Sequence, residues 1–372
     1  MKVIQDIRPP APKDKVLREE KLFFQRNQKK RYFSVWVKFV LFIFLFAGLA
    51  GGTFAFGVLS AGQEVLNCEE GPSSSFIQFK NLILSKNKPL KGEEDGRVNI
   101  LFLGKGGEGH PGGGLTDTIL LVSIQPQTKR MAMISIPRDL YIKVSEAGYY
   151  IRINAVEQFG ENYYGSKEEG ISLLRKTISE ITGVPVHYYA QLDFSGFIKM
   201  IDKLGGIEMD IEEDINDPLF PGPGYTYEPF SLKAGKYNLD GETALKFVRT
   251  RHSLRGDFDR IQRQQKVLIA IKNKVFEGNI VQNIFSFNNI LKSLKGHLDT
   301  DIKLGEAKRF LDIAGDIDNY KIINKVLDNN PKDGVLKSGG IKGISVLLPR
   351  RDDFKEIQEF CRNIFELSTV KH

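Results

Sequence analysis

Cysteine, tryptophan and histidine are scarce in this chain of 372 residues, which holds two, one and five of them. Two cysteines exclude a disulfide scaffold. Cys68 and Cys361 lie far apart in the sequence, and such scattered thiols are expected to stay free rather than pair. The histidines share no spacing that would hold zinc, and no internal repeat is present. Fifteen prolines and 36 glycines are too few for a collagen-like or wholly disordered chain. With 41% hydrophobic residues there is enough for a core in one large domain or two modest ones. Excess positive charge is also missing from most of the chain. The formal net charge is +7, yet residues 1–38 hold 11 Lys/Arg against four Asp/Glu, and the other 334 residues hold 42 of each. The body is neutral, so nucleic acid is not an expected partner.

Beyond that basic tail, residues 39–62 carry no charge and include six phenylalanines. An α-helix of this length spans ~36 Å, enough to cross a hydrocarbon core with some tilt. Arg26, Lys29, Lys30, Arg31 and Lys38 crowd one side of it, while Glu64, Glu69 and Glu70 come first on the other. The positive-inside rule predicts a cytoplasmic tail (1–38), an uncleaved transmembrane helix (39–62) and everything after it outside the cell. Residues 63–96, with Gly71-Pro72 and three serines, read as a stalk.

The folded part begins with a buried-strand run, Val98 to Gly104, followed by seven glycines within 104–114. Apolar runs at Ile119–Ile124 and Met131–Ile136 predict further strands. Helical stripes fall at Glu168–Thr182 and Leu192–Leu204. Alternating strands and helices imply a layered α/β domain. The glycine loop lacks the lysine and the following helix of a phosphate-binding P-loop, so ATP is not expected. It does offer backbone N–H groups near Asp117. That carboxylate is either a magnesium ligand or a turn residue bonded to its own backbone.

The densest chemistry lies at 235–275. Leu239 to Val248 reads as a short helix, with Arg249-Thr250-Arg251-His252 leaving it. In an extended exit, Arg249 and Arg251 would point the same way, as two guanidinium forks suited to diphosphate oxygens. Asp257 to Phe276 reads as a long helix capped by Asp257, with Arg260 and Gln264 on or beside its apolar stripe. Such inward polar groups need either an internal ion pair or a bound anion.

From Val98 to Phe276 the chain resembles the LytR–CpsA–Psr family of envelope phosphotransferases. The matching blocks are Asn-Ile-Leu-Phe-Leu-Gly (99–104), Thr-Asp-Thr (116–118), Ser-Ile-Pro-Arg-Asp (135–139) and Arg-Ile-Asn-Ala (152–155). Leu-Gly-Gly-Ile (204–207), Leu-Asp-Gly-Glu-Thr-Ala-Leu (239–245), Val-Arg-Thr-Arg-His (248–252) and Asp-Phe-Asp-Arg-Ile-Gln-Arg-Gln-Gln (257–265) follow in order. The resemblance implies an α-β-α sandwich with a central mixed sheet and a long apolar tunnel for a lipid. It also implies transfer of a glycopolymer from a polyprenyl-diphosphate carrier to the cell wall, with peptidoglycan as acceptor, at the surface of the membrane lipid. Polyprenyl phosphate is released. Hydrolysis of the same diphosphate, or a non-enzymatic role as envelope regulator or glycan-binding protein, are the alternatives.

Carried over residue by residue, the resemblance implies that Asp117 coordinates magnesium (or manganese) and that Arg138, Arg249, Arg251 and Arg260 bind the diphosphate. Asp257 would orient Arg260 or the metal, and is a candidate base for the acceptor hydroxyl. Gln264 would complete the polar end of the pocket. Two positions depart from the family pattern. Lys105 stands where an acidic residue is usual after the first strand, with Glu108 a candidate replacement ligand, and Leu115 stands where an arginine is usual. The catalytic domain is expected at 97–276, with 277–372 an extension packed on it and carrying no assigned chemistry.

Overall fold

Alternation along the first strand sets the architecture. In β1 (Val98–Lys105), Val98, Ile100 and Phe102 face one side, Leu101 and Leu103 the other, and all five are buried. A strand buried on both faces must sit inside a sheet covered on both sides. The computed structural model describes residues 89–366, except Glu108, Pro111, 145–147, 149, 223–225, 251–259, 275–289 and scattered positions between 261 and 318. The expected tail, transmembrane helix and most of the stalk lie outside the described residues. Among the described residues no helix is long and apolar enough to cross a membrane.

After β1 come β2 (Thr116–Gln125), β3 (Arg130–Ser135), β4 (Tyr141–Lys143), β5 (Tyr150–Arg152) and a 3₁₀ turn, Ile153–Ala155. Two helices follow, α1 (Val156–Tyr164) and α2 (Lys167–Thr182), then β6 (Tyr188–Asp193) and α3 (Phe194–Lys203). Strands β7 (Ile207–Ile211), β8 (Ile215–Asp217), β9 (Phe230–Leu232) and β10 (Gly235–Leu239) lead to α4 (Gly241–Arg249). Beyond a helical segment whose described positions run from 260 to 274 lie β11 (Leu298–Thr300), β12 (Lys321–Val326), β13 (Leu336–Ile341), β14 (Ile344–Pro349) and α5 (Lys355–Arg362).

The central sheet has six strands in the order β11-β6-β1-β2-β3-β12. It is mixed: β1 runs parallel to β6 and antiparallel to β2, while β3 runs parallel to β12. Leu101, Leu103, Leu121 and Ile134 on one face join Ile171, Leu174 and Ile178 of α2 and Ile357 and Cys361 of α5. Ile100, Phe102, Val122 and Met133 on the other face meet Phe310, Ile313 and Ile322. A third apolar cluster joins α3, α4, β7 and β10 to Val267, Ala270 and Ile271.

Two strands of this sheet, β11 and β12, come from beyond residue 276 and close both of its edges. The sheet therefore crosses the boundary expected at 276. The stripe expected to be helical from Leu192 begins two residues later, because Leu192 and Asp193 finish β6. The Asp193 carboxylate then accepts the Gly196 N–H at 2.7 Å and caps α3. Cys361 is buried as a free thiol, and Cys68 lies outside the described residues.

Candidate active site

Three of the sequence blocks meet at Asp117, the second residue of β2. Arg138, just beyond β3, donates from Nη1 to Asp117 Oδ1 at 2.8 Å. Asn154, in the 3₁₀ turn, donates its side-chain amide to the same oxygen at 3.2 Å and its backbone N–H to the Arg138 carbonyl. Arg152 lies 3.5 Å from Asp139, which holds the two chain segments together. Asp117 is therefore not a turn residue bonded to its own backbone. Its Oδ1 takes two donors, and its Oδ2 accepts none among the described residues.

One layer deeper, Glu157 of α1 is buried among three donors. Lys105 Nζ lies 3.1 Å away, the Thr116 hydroxyl 2.5 Å and the Gln191 amide 2.7 Å. Lys105, the departure from the family pattern, is thus the counter-ion of a buried carboxylate at the sheet end that carries Asp117. Removing one partner from such a pair typically costs about 3–5 kcal/mol, because the other charge stays buried.

The glycine loop is folded on itself rather than open. Gly107 N–H donates to Gly113 O at 2.9 Å, Gly113 N–H to His110 O at 2.8 Å, and Leu115 N–H to Gly112 O at 2.9 Å. A Cβ on Gly113 would sit 1.9 Å from the Gly107 carbonyl, so only glycine fits. These three N–H groups bind the loop and not a ligand. What the loop presents is His110, edge-on to Phe194 at 5.3 Å. Burial, and then the charge of Arg249, hold the His110 imidazole below the usual histidine range, with Asp193 opposing them.

Arg249 arrives from the opposite direction as the last residue of α4. Asp240 caps that helix through the Thr243 N–H at 2.8 Å. Gly241 is required because a Cβ there would meet the Ile198 carbonyl at 2.4 Å. The Arg249 guanidinium lies 4.8 Å from the Phe194 ring and 5.1 Å from Phe220. Two such contacts contribute about 0.5–2 kcal/mol each and fix the plane of the fork. The chain leaves α4 at Thr250, whose hydroxyl bonds Asp217 and whose carbonyl accepts from Arg263. Arg249 is helical and not extended, because Ala244, Leu245, Phe247 and Val248 bury their face right to the helix end. Arg251, Asp257 and Glu108 lie outside the described residues, so the expected arginine pair is described in its first member only. Arg260 is buried on the next helical segment, and Gln264 is half-buried one turn on.

Among the described residues no group of three His, Cys, Asp or Glu side chains could hold a metal ion. Asp117 offers one carboxylate. That suits magnesium, which binds through one or two carboxylates and completes its shell with phosphate oxygens and water. Sequence reasoning missed Lys105–Glu157, Asn154, His110 and Phe194. Asn154 sat inside a quoted block and Glu157 on the buried stripe of a helix, so both left a trace.

A family model, described as the LytR_cpsA_psr family, matches residues 71–361. A Staphylococcus aureus protein named regulatory protein MsrR is 33% identical over 218 residues, covering 58% of this chain. The chain spans 59% of that relative's length. An Enterococcus faecalis protein named polyisoprenyl-teichoic acid–peptidoglycan teichoic acid transferase TagU is 25% identical over 284 residues, 76% of this chain and 83% of its own. The crystal structure of Bacillus subtilis TagV superposes with a TM-score of 0.52 at 25% identity, covering 73% of this chain and 97% of that one. A Streptococcus agalactiae structure gives 0.55 at 22% identity, over 77% and 93%, and shows the shared fold alone.

Proposed function

The chain belongs to the LytR–CpsA–Psr family, and from that premise we propose that it transfers a glycopolymer from a polyprenyl-diphosphate carrier to the cell wall, with peptidoglycan as acceptor and polyprenyl phosphate as leaving group. The observation that carries this reading is the convergence of family blocks on one end of the sheet. Asp117, Arg138 and Asn154 bond there, and Arg249 is pinned by Phe194 and Phe220 beside His110. The relatives named teichoic acid transferases support the same chemistry.

In this reading Arg138, Arg249, Arg251 and Arg260 grip the diphosphate, Gln264 completes the polar end of the pocket, and Asp257 orients Arg260. Transfer of a phosphoryl group needs positioning and charge neutralisation more than covalent help, and fixed guanidinium forks supply both. Magnesium or manganese at Asp117, with Glu108 as a further oxygen ligand, would neutralise the diphosphate charge. The prenyl chain would lie along the apolar cluster of α3 and α4, where Phe197 and Ile198 are half-buried. The span at 39–62 would hold the catalytic domain outside the cell at the membrane, which an alkaline phosphatase reporter fused after His372 tests by its activity.

The test of function is a transfer assay with a labelled polyprenyl-diphosphate-linked oligosaccharide and peptidoglycan. Label in the insoluble wall fraction, lost on chelation, is the expected result. Label released only as free sugar phosphate would indicate water as acceptor and overturn the transferase reading.

A further inference from the structure

One cluster of titratable side chains at this sheet end has no role so far. Asp193, the last residue of β6, accepts from Nδ1 of His297 at 3.1 and 2.9 Å through its two oxygens. The two residues are also joined through their backbones, Asp193 N–H to His297 O at 3.2 Å. Gly196 permits the approach, since a Cβ there would lie 2.7 Å from that of His297. A carboxylate on Nδ1 puts the proton on that nitrogen and leaves the lone pair on Nε2. An independent contact agrees: Nζ of Lys199 stands 2.6 Å from Nε2, and an ammonium can only donate.

The pair borders the site through Asp193. Gly107 of the glycine loop packs against the Asp193 side chain, and Phe194, the next residue, carries Arg249 over its ring. Within the sheet, Lys105 of β1 is paired with Asp193 on one side and with Thr116, the neighbour of Asp117, on the other. Two strand spacings make ~10 Å from the strand of Asp117 to Asp193, and His297, just before β11, lies one spacing further on, which leaves room for a diphosphate and an incoming hydroxyl between Asp117 and the imidazole.

We propose that the Asp193–His297 pair is the proton acceptor for the attacking hydroxyl of the acceptor glycan, an inference that rests on the transferase reading above. The hydroxyl gives its proton to Nε2 as its oxygen bonds the glycan-bearing phosphorus. The bond from that phosphorus to the bridging oxygen breaks, and its electron pair stays on the departing polyprenyl phosphate. His297 then returns its proton to solvent. Lys199, exposed on α3, marks the position of the incoming oxygen and swings away as the hydroxyl takes its place. The charged groups on the imidazole are Asp193 and Lys199, and Asp193 and Arg249 also act on His110. Asp299 of β11 accepts from the Tyr189 hydroxyl.

The experiment uses the full chain in detergent with the labelled lipid-linked oligosaccharide and peptidoglycan fragments, across about pH 5 to 9. His297→Gln is expected to lose at least about 100-fold in turnover with the Kd for the lipid unchanged. The fall in parental rate at acid pH should vanish with it. Asp193→Asn keeps a good helix cap, so it should melt near the parent while losing turnover in the same direction. If both variants keep the parental rate and acid limb, the proposal is wrong and the transferase reading stands. A loss confined to melting temperature and lipid binding would make the pair structural. An acid limb abolished by Asp257→Asn and not by His297→Gln would put the base elsewhere. A parent that transfers nothing to peptidoglycan removes both readings.

Discussion

At the scale of single residues, the site is held by donors that are spoken for by geometry rather than by loose surface charge. Arg249 is the clearest case. Its fork lies over Phe194 and Phe220, so its orientation is set before any substrate arrives. In the proposed transfer, negative charge would grow on the bridging oxygen of the leaving phosphate, and a donor fixed there would stabilise the transition state more than the ground state. Losing one such donor typically costs about 10²–10³ in rate. Lysine keeps the charge but neither stacks as a plane nor makes two parallel hydrogen bonds. Arg249→Lys is therefore expected to fold normally, as judged by its melting curve, and to lose about 100-fold in turnover. A near-parental rate would place the diphosphate away from α4.

Individual elements owe their form to a few close approaches. In the glycine loop, adding one methyl group at Gly113 collides with the Gly107 carbonyl, while the strands on either side keep their full pairing. Gly113→Ala is thus expected to displace His110 and depress transfer strongly while changing stability by no more than about 1–3 kcal/mol, the usual cost of overpacking. Parallel activity and melting measurements check this. Helix α5 is fastened differently. Arg97 donates to the carbonyls of Cys361 and Arg362 at its C-terminal end, and its guanidinium lies 5.3 Å from the centre of the Phe365 ring. Burial beside this contact pushes the Cys361 thiol up to about 12. The unfolded chain loses that proton first, so the contribution of the neutral thiol is complete below the ordinary thiol range and fades as pH rises toward 12. Urea midpoints of the parent should drop more steeply above about pH 9 than those of Cys361→Ala.

For the molecule as a whole, the sequence was most readable where local chemistry decides and least where distant partners do. Strands β1 to β3 announced themselves as apolar runs, and Asp117, Arg138 and Arg249 lay in recognisable blocks. By contrast, β11 is three residues long, too short for any alternation, and exists because β6 offers it an edge. His297 sits alone in a weakly patterned stretch and gains its partner only when the sheet brings Asp193 to it. The sheet also runs past the boundary at 276 that the sequence suggested, and that continuity makes a prediction. Cutting the chain after Phe276 would remove both edge strands and leave β6 and β3 as open edges. It would also strip Phe310, Ile313 and Ile322 from one face of the sheet and Ile323, Leu336, Ile357, Ile364 and Phe365 from the other. At about 1.5–3 kcal/mol for each buried side chain, these eight amount to about 12–24 kcal/mol, comparable to or larger than the 5–15 kcal/mol by which a domain is stable. The truncated chain is expected to lack a cooperative melting transition and to elute as aggregate. If residues 89–276 instead gave a folded monomer, the sheet would be complete without β11 and β12, and its edges would have to be protected in some other way.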